Sequence, residues 1–223
     1  MIKACIFDLD GVIVDTAKYH FLAWRRLANE LGFDFTEADN EKLKGVSRMG
    51  SLDLILQWGG LDLSEAEKLE LADRKNDWYK EYLKDMSSDD ILEGVMSFLQ
   101  ELKKRGIRIG LGSASKNAMM VVERIGLQDT FEVIIDGNKA TKSKPDPQVF
   151  ALGAEALGVA PEESIVFEDA ESGIQAALNG GFYAVGIGSP ENLGHAHLVI
   201  PNFIGKSFDD IVESISNELI LQK

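Results

Sequence analysis

Hydrophobic and polar residues follow two different patterns along this chain. Between residues 17 and 85, apolar residues recur at helical spacing, as at Trp24, Leu27, Ala28 and Leu31, and no segment has the character of a strand. The rest of the chain alternates short apolar runs with amphipathic segments that end at glycine. The pattern therefore predicts a helical block set into a chain of alternating strands and helices.

Helix-start signals divide the helical block into separate helices. Thr36-x-x-Asp39 and Ser64-x-x-Glu67 are typical of capping boxes, in which a hydroxyl and a carboxylate bond to the first backbone N–H groups of a helix. Besides the helix around Trp24, the predicted helices are Arg48–Trp58 and Glu65–Lys84.

The alternating part of the chain predicts a parallel sheet with helices on both faces. Ligands of such a sheet lie beyond the carboxyl ends of its strands, and a helical block inserted after the first strand would cover those ends. The predicted strands are Ile2–Phe7, Ile107–Leu111, Phe131–Ile135, Ser164–Phe167, Tyr183–Ile187 and Leu198–Ile200. The predicted helices are Val95–Arg105, Asn117–Ile125, Pro147–Leu157, Ser172–Leu178 and a last one from about Phe208.

Composition narrows the class of protein. The chain has 223 residues, a net charge of −14 and a pI near 4.6, which argues against binding to nucleic acids or anionic membranes. Cys5 is the single cysteine, and neither a signal-peptide pattern nor an apolar segment of membrane length is present. We therefore expect a cytoplasmic protein, and a monomer is the working expectation.

Two aspartates follow the first predicted strand. Asp8 and Asp10 are two residues apart, so their side chains lie on the same face of an extended segment. Adjacent carboxylates repel each other unless a cation or a proton relieves the pair. Such a pair can hold Mg²⁺ while one member attacks phosphorus and the other transfers a proton. The alternative is an acidic surface turn, but the buried strand before the pair and Gly11 after it favour the site.

Three further strand ends carry polar side chains. Ser113 lies at a strand-to-helix turn, where a hydroxyl and free N–H groups can bind an anion; an ordinary helix N-cap is the alternative. Lys144 precedes Pro145, which restricts the backbone of the lysine and favours a fixed cation at the site. The alternative is a solvated surface lysine, as most single lysines are. Glu168 and Asp169 offer hard oxygen ligands to a cation, or else they form an acidic first helical turn.

These four segments, in this order, resemble the four signatures of the haloacid dehalogenase-like (HAD) superfamily. The resemblance covers essentially the whole chain and implies an α/β fold, with a Rossmann-like parallel sheet core and an inserted all-helical cap domain. It implies that Asp8 is the nucleophile that becomes aspartyl-phosphate, that Asp10 is a general acid and base, and that Ser113 and Lys144 hold the transferring phosphoryl group. Mg²⁺ is the implied cofactor, with Asp8, the Asp10 carbonyl, Glu168 (directly or through water) and Asp169 as ligands.

The domain boundaries that we expect follow from this layout. The core domain would comprise residues 1–15 and 88–223, and the helical cap domain residues 16–87. A core of this kind transfers phosphoryl groups without choosing the substrate, so specificity would depend on the cap.

Several cap residues have two interpretations. The loop Lys44–Arg48 is either a solvated basic loop or a second phosphate site, since arginine can bind phosphate with two hydrogen bonds. His20 and Trp24 share a helix face and form either a partly buried aromatic face or a pair directed at the site. Lys75 has no carboxylate one turn away; from the residues alone, a stem over apolar surface with a solvated ammonium group is favoured.

The cap segments and Ser113–Asn117 are similar to those of the β-phosphoglucomutase family within this superfamily. That resemblance implies a small phosphorylated sugar as partner: β-D-glucose 1-phosphate would be interconverted with β-D-glucose 6-phosphate through β-D-glucose 1,6-bisphosphate, which serves as intermediate and primer. His20 and Lys75 would couple substrate binding to the placement of Asp10, and Thr16 would help cap the first cap helix and serve the hinge. The implied substrate-binding residues are Trp24, Lys44, Gly45, Val46, Ser47, Arg48, Ser51, Lys75, Asn76, Ser113, Ala114, Ser115, Asn117 and Lys144.

A mutase must hold a sugar bisphosphate in two orientations, so it needs two phosphate sites. The first would be the cluster around Asp8, and the second is expected at Arg48 with nearby cap atoms, Ser115 and Asn117. Two alternatives stay open. One is a HAD phosphohydrolase acting on a small sugar phosphate or phosphoglycolate, and the other is a catalytically idle phosphate-binding module, against which the intact Asp8 and Asp10 argue.

Overall fold

Six strands form one parallel sheet in the computed structural model, which describes residues 1–221. The strands are β1 (Ala4–Phe7), β2 (Arg108–Gly112), β3 (Val133–Ile135), β4 (Ser164–Glu168), β5 (Tyr183–Ile187) and β6 (Leu198–Ile200). Their order in the sheet is β3-β2-β1-β4-β5-β6, so β1 lies in the middle with β2 and β4 as neighbours. The predicted parallel sheet is confirmed.

The helices fall into a block after β1 and a set that alternates with the later strands. The helices are α1 (Ala17–Glu30), α2 (Glu37–Glu41), α3 (Arg48–Trp58), α4 (Glu65–Tyr82), α5 (Val95–Arg105), α6 (Ala118–Arg124), α7 (Gln148–Leu157), α8 (Glu171–Asn179), α9 (Pro190–Leu193) and α10 (Phe208–Leu221). Within residues 1–221, none of these helices has the length and apolar character needed to cross a membrane.

Both faces of the sheet are buried, because its strands carry apolar side chains in both directions. In β1, Cys5 and Phe7 belong to one apolar cluster, whereas Ala4 and Ile6 belong to another on the opposite face. A parallel sheet with helices on both faces requires this double burial. The middle strand is thus held from both sides, and its carboxyl end has a fixed position.

Four phenylalanine rings pack beneath the carboxyl ends of β1 and β4. Phe7 stacks on Phe167 with ring centroids 4.7 Å apart. Phe98 from α5 meets Phe167 edge-on at 5.5 Å, and Phe203 lies 5.0 Å from Phe98. Phe7 directly precedes Asp8, and Phe167 directly precedes Glu168. The rings therefore fix the spacing between the two strand ends that carry acidic side chains.

Helices α1 to α4 have an apolar cluster of their own, which includes Trp24, Leu27 and Leu52. The ends of α1 and α4 nearest the sheet instead pack into the same cluster as β1, through residues such as Tyr19 and Tyr79. Apolar contact therefore continues from the sheet into the helical block.

The two chain segments that join the helical block to the sheet run beside each other. Val14 and Ile91 form an antiparallel bridge, and the N–H of Leu92 donates to the carbonyl of Ile13 at 3.0 Å. The carboxylate of Asp90 accepts a hydrogen bond from Lys18 at 2.5 Å, at the start of α1. The entry and exit segments are thus tied to each other.

The element boundaries differ from the predicted ones by a few residues. Strand β4 extends to Glu168, because Glu168 pairs with Gly186 of β5. Strand β3 begins at Val133, where its pairing with Gly110 of β2 starts, and not at Phe131. The four-residue helix α9 was not predicted, since it is too short to show an apolar periodicity.

We predict that Phe98→Ala will lower the free energy of unfolding by about 3–5 kcal/mol, because the ring fills the space between three other aromatic rings. Chemical denaturation followed by circular dichroism measures the change. Met96→Ala, on the exposed side of the same helix, is the matched control and should cost under about 1 kcal/mol. Equal losses in both variants would contradict the role given to the aromatic cluster.

Candidate active site

A buried lysine lies between two buried carboxylates at the carboxyl ends of β1 and β4. The Nζ atom of Lys144 is 2.5 Å from Asp8 Oδ1 and 2.5 Å from Glu168 Oε1. All three residues are buried, with exposed fractions of 5% for Asp8, 7% for Lys144 and 1% for Glu168. Burial alone would lower the pKa of Lys144, but the two carboxylates raise it above its usual value, so the ammonium group stays charged. Asp8 is therefore held beside a fixed positive charge.

Asp10 is held by the segment that leads into the cap. The hydroxyl of Thr16 donates a hydrogen bond to Asp10 Oδ1, and the N–H of Asp10 donates to Asp8 Oδ2 at 3.0 Å. Burial, followed by repulsion from Asp8, raises the pKa of Asp10 to about 6. A carboxyl group with this pKa can exchange a proton near neutral pH, as a general acid and base must.

Thr16 is the N-cap residue of α1, as the prediction that it helps to cap this helix requires. Its hydroxyl makes no capping hydrogen bond to the helix, and only its carbonyl accepts from the N–H groups of Tyr19 and His20. The hydroxyl instead donates to Asp10 and so ties the entry segment to the acidic pair.

Glu168 and Asp169 lie at the end of β4 in different environments. Glu168 is buried, with Oε1 on Lys144 and Oε2 accepting from the N–H of Ala170 at 2.6 Å. Burial raises the pKa of Asp169 well above its usual value, and repulsion from Glu168 and Asp8 adds to the shift. Gly11 makes room for Asp169: a Cβ atom at Gly11 would lie 2.1 Å from Asp169 Oδ2, and its φ of +80° also favours glycine.

Ser113 lies underneath the loop that follows β2. It is fully buried, and its Oγ accepts a hydrogen bond from the N–H of Ser115 at 3.1 Å. Ser115 Oγ in turn accepts from the N–H of Asn117 at 3.2 Å. The amide of Asn117 reaches across to the cap and donates to Asn76 Oδ1 at 2.8 Å. The loop Ala114–Asn117 thus joins the sheet to the cap.

A buried basic pair lies on the cap side of the cleft. Lys75 Nζ is 3.0 Å from His20 Nδ1 and 4.2 Å from the centroid of the Trp24 ring. Lys75 is 2% exposed, so the interpretation with a solvated ammonium group is wrong. Burial, reinforced by Arg48, lowers the pKa of Lys75 well below its usual value, and burial with Lys75 and Arg48 lowers that of His20. Burial and mutual repulsion therefore both disfavour a positive charge on Lys75 and His20 at the same time.

The loop Lys44–Arg48 contributes two cations to the cap side of the cleft. Lys44 Nζ lies 3.4 Å from Asp169 Oδ2 and 3.0 Å from Glu41 Oε2, so it bridges the cap and the end of β4. Arg48 lies half-buried, with Nη1 3.8 Å from the exposed Asp73. At that distance the guanidinium group keeps donors for another anion. The loop is therefore part of the cleft wall and not a freely solvated segment.

One cavity of about 1050 Å³ between the cap and the strand ends brings almost all of the predicted residues together. Ser113 does not line it, because it lies beneath the loop after β2. The other predicted residues line the cavity, and their individual roles remain predictions: Asp8, Asp10, Thr16, His20, Trp24, Lys44, Gly45, Val46, Ser47, Arg48, Ser51, Lys75, Asn76, Ala114, Ser115, Asn117, Lys144, Glu168 and Asp169.

Residues near the site that were not predicted include Tyr79 and Gly173. The ring of Tyr79 lies 4.2 Å from that of His20, and its buried hydroxyl has no hydrogen-bond partner within the described residues. At Gly173, a Cβ atom would lie 1.8 Å from Glu168 Oε1. An aromatic residue on a helix face and a glycine in a first helical turn carry no distinctive sequence signal, so neither could be singled out in advance.

The donor chemistry of the acidic cluster fits Mg²⁺. Carboxylate and carbonyl oxygens are hard ligands that this cation prefers. Burial, with repulsion from Asp8, raises the pKa of both Glu168 and Asp169, and a divalent cation would relieve that repulsion. Within residues 1–221, however, no three His, Cys, Asp or Glu side chains converge closely enough to enclose an ion as they stand. The four proposed ligands therefore remain a prediction.

Comparisons with known proteins agree on the family. A family model described as a haloacid dehalogenase-like hydrolase matches residues 2–181. The chain is 44% identical over 200 residues to the β-phosphoglucomutase of Bacillus subtilis (strain 168), which covers 89% of this chain and 88% of that protein. It is also 32% identical over 182 residues to a phosphorylated carbohydrates phosphatase of Thermotoga maritima, which covers 80% of this chain and 82% of that protein.

A solved structure gives the same result. The β-phosphoglucomutase of Clostridium difficile superposes with a TM-score of 0.93 and 44% sequence identity, covering 99% of this chain and 100% of that one. The chain therefore belongs to the haloacid dehalogenase-like hydrolase family, and within it is related to the β-phosphoglucomutases.

Proposed function

We propose that this protein is a β-phosphoglucomutase, which interconverts β-D-glucose 1-phosphate and β-D-glucose 6-phosphate through β-D-glucose 1,6-bisphosphate. The observation that carries the proposal is a cleft with cationic groups on both the sheet side and the cap side. Lys144 lies beside Asp8 at the strand ends, and Arg48 of the cap and the loop Ala114–Asn117 line the same cavity. A sugar with two phosphate groups needs more than one such group, and the similarity to two proteins named β-phosphoglucomutase supports this reading.

Asp8 is the nucleophile in the proposed mechanism. A carboxylate oxygen of Asp8 attacks the C1 phosphorus of β-D-glucose 1,6-bisphosphate; a bond to this oxygen forms, the bond between phosphorus and the C1 oxygen breaks, and β-D-glucose 6-phosphate leaves. Lys144 faces Asp8 Oδ1 and balances negative charge on the transferring group. In the other half-reaction the 6-hydroxyl of β-D-glucose 1-phosphate attacks the aspartyl-phosphate, the bond between phosphorus and Asp8 breaks, and the bisphosphate forms again.

Asp10 moves the proton in both half-reactions. It protonates the departing sugar oxygen in one direction and removes the proton from the attacking hydroxyl in the other. The hydrogen bond from Thr16 orients its carboxyl group, and the pKa of about 6 allows both protonation states. His20 and Lys75 act on the cap side, where substrate binding would couple to the placement of Asp10.

Mg²⁺ would be held by Asp8, the carbonyl of Asp10, Glu168 and Asp169. When bound, it supplies positive charge that favours the developing charge on the phosphoryl oxygens. The ammonium group of Lys44 lies beside Asp169 from the cap, so cap closure adds a further cation to the same acidic cluster.

We propose two domains with the boundaries given above, a core of residues 1–15 and 88–223 and a cap of residues 16–87. The hydrogen bond between Asn76 and Asn117 and the ion pair between Lys44 and Asp169 join the two across the cleft. A closed cap excludes water, which would otherwise hydrolyse the aspartyl-phosphate.

The setting that we propose is a monomer in the cytoplasm, with β-D-glucose 1,6-bisphosphate as primer. The described residues of this one chain line the cavity in which the reaction is proposed, which is compatible with a monomer. The single cysteine, Cys5, is buried in β1, which is compatible with a reducing compartment.

A phosphorus NMR time course tests the proposed function. The protein is incubated with β-D-glucose 1-phosphate, Mg²⁺ and a trace of β-D-glucose 1,6-bisphosphate. We expect the signal of glucose 6-phosphate to replace that of the substrate while inorganic phosphate stays at its starting level. Release of inorganic phosphate would indicate a phosphohydrolase instead, and an unchanged spectrum a phosphate-binding module.

We predict that Asp8→Asn will lower mutase turnover by at least about 10³-fold, since an amide cannot attack phosphorus. The amide matches the carboxylate in shape, so the thermal unfolding profile should still show a folded protein. Mass spectrometry after incubation with acetyl phosphate should detect a covalent phosphoryl group on the wild-type protein but not on the variant. Substantial residual mutase activity would rule out Asp8 as the nucleophile.

We predict that Arg48→Ala will lower kcat/KM for β-D-glucose 1-phosphate by about 10- to 100-fold, through loss of a charged hydrogen bond to the distal phosphate. The rate at which acetyl phosphate forms the aspartyl-phosphate should change little. Arg74→Ala is the matched control, because Arg74 lies on the cap with its Nη1 3.6 Å from Glu30 and does not line the cavity. Equal damage to both reactions by Arg48→Ala would contradict a distal phosphate site.

A further inference from the structure

The segment Asp136-Gly137-Asn138, which follows β3, has no part in the mechanism above. Strand β3 is the neighbour of β2, so this segment lies beside the loop Ala114–Asn117 at the same edge of the sheet. Asp136 is 8% exposed and does not line the cavity, whereas Gly137 and Asn138 do. A buried carboxylate behind a binding loop needs a structural or functional reason.

The carboxylate of Asp136 organises its own turn. Its Oδ1 accepts hydrogen bonds from the N–H of Asn138 at 3.1 Å and from the N–H of Lys139 at 3.2 Å. Its Oδ2 accepts from the side-chain amide of Asn138 at 2.8 Å. The negative charge is thus satisfied by three donors of the turn, and the third of them fixes the orientation of the Asn138 amide.

The oriented turn holds the loop after β2 through two neighbouring carbonyl groups. The amide of Asn138 donates to the carbonyl of Lys116 at 3.0 Å. The N–H of Gly137 donates to the carbonyl of Ser115 at 3.1 Å. Fixing two successive carbonyls sets the direction of the peptide groups in between, and therefore the direction of the side chains that they carry.

The close approach of the two loops requires glycine at position 137. A Cβ atom there would lie 2.4 Å from the carbonyl oxygen of Ala114 and 3.1 Å from the nitrogen of Lys116. Both atoms belong to the backbone, which cannot move aside as the end of a flexible side chain can. The packing is therefore specific to this loop pair.

We propose that Asp136, Gly137 and Asn138 are positioning residues, which hold the loop Ala114–Asn117 so that Ser115 and Asn117 meet the non-transferring end of the sugar phosphate. The inference rests on the proposed function. It assigns part of the protein's affinity for the substrate to a segment that contacts the loop Ala114–Asn117. Lys144 and Asp8 are held by other contacts, so the segment acts on substrate binding and not on phosphoryl transfer.

The test compares Asn138→Ala with Lys139→Ala. Lys139 is the next residue in the same turn, but its ammonium group donates to the carbonyl of Ile134 and not to the loop Ala114–Asn117. We expect Asn138→Ala to raise KM for β-D-glucose 1-phosphate about five- to tenfold, while kcat and the rate of aspartyl-phosphate formation from acetyl phosphate change less than about twofold. Lys139→Ala should leave all three quantities unchanged.

A double-variant cycle sharpens the test. Because Asp136 acts on the loop by orienting Asn138, Asp136→Asn should raise KM in the same way, and the double variant should be no worse than the stronger single variant. A merely structural turn predicts otherwise: thermal stability would fall while KM stays at the wild-type value, and that result would overturn the proposal. An equal fall in aspartyl-phosphate formation would also overturn it.

Calorimetric titration with β-D-glucose 1-phosphate in the Asp8→Asn background, which does not turn the ligand over, keeps this test independent of the proposed function. If the wild-type protein hydrolyses the sugar phosphate or does not turn it over, the mutase assignment fails, but the dissociation constants measured in this background still report on the loop. A five- to tenfold weaker binding when Asn138→Ala is added to it, about the effect of one hydrogen bond, supports the proposal in either case. Unchanged binding overturns it.

Discussion

The contact of Lys144 with Asp8 and Glu168 is the interaction on which the rest of the site depends. Three charged groups are removed from water here, and the arrangement is stable only because each charge has a partner at hydrogen-bond distance. Removing one member of such a buried group typically costs about 3–5 kcal/mol, since an uncompensated charge stays behind. The stacked rings of Phe7 and Phe167, directly before the two carboxylates, keep β1 and β4 at the spacing that the lysine bridges. The ion pairs of Lys144 therefore depend on the aromatic packing that sets the distance between the two strands.

The cleft divides the chemistry between two bodies of the protein. The strand ends carry Asp8, Lys144, Glu168 and Asp169, whereas the cap contributes Arg48, the His20–Lys75 pair and Lys44. Asp10 belongs to the first set by position, but the hydroxyl of Thr16, from the segment entering the cap, holds it. Of the carboxylates at the strand ends, Asp10 is thus bonded to the segment that leads into the cap, and in the proposed mechanism it would transmit the position of the cap to the proton transfer.

The sequence predicted the parallel sheet and the positions of the polar strand ends, because parallel strands bring their carboxyl ends to one edge regardless of detail. It did not predict contacts that depend on how the helices pack. Lys75 is buried because α4 lies against the face of α1 that carries His20 and Trp24. The spacing of apolar residues within α4 does not indicate which helix it packs against. Thr16 was expected to help cap α1, because hydroxyl residues often precede a helix, but the hydrogen bond from its hydroxyl to Asp10 was not predicted. The turn at Asp136 was missed because its bonds reach a loop that is distant along the chain.

The paired segments between sheet and cap limit how the enzyme can open. Ile13 and Val14 are hydrogen-bonded or bridged to Leu92 and Ile91, so the two crossings behave as one narrow ribbon. The two crossings cannot move independently, so any movement of the cap relative to the sheet shifts both of them together. In the proposed reaction this coupling would bring the guanidinium group of Arg48 back to the same position relative to Asp8 at each closure.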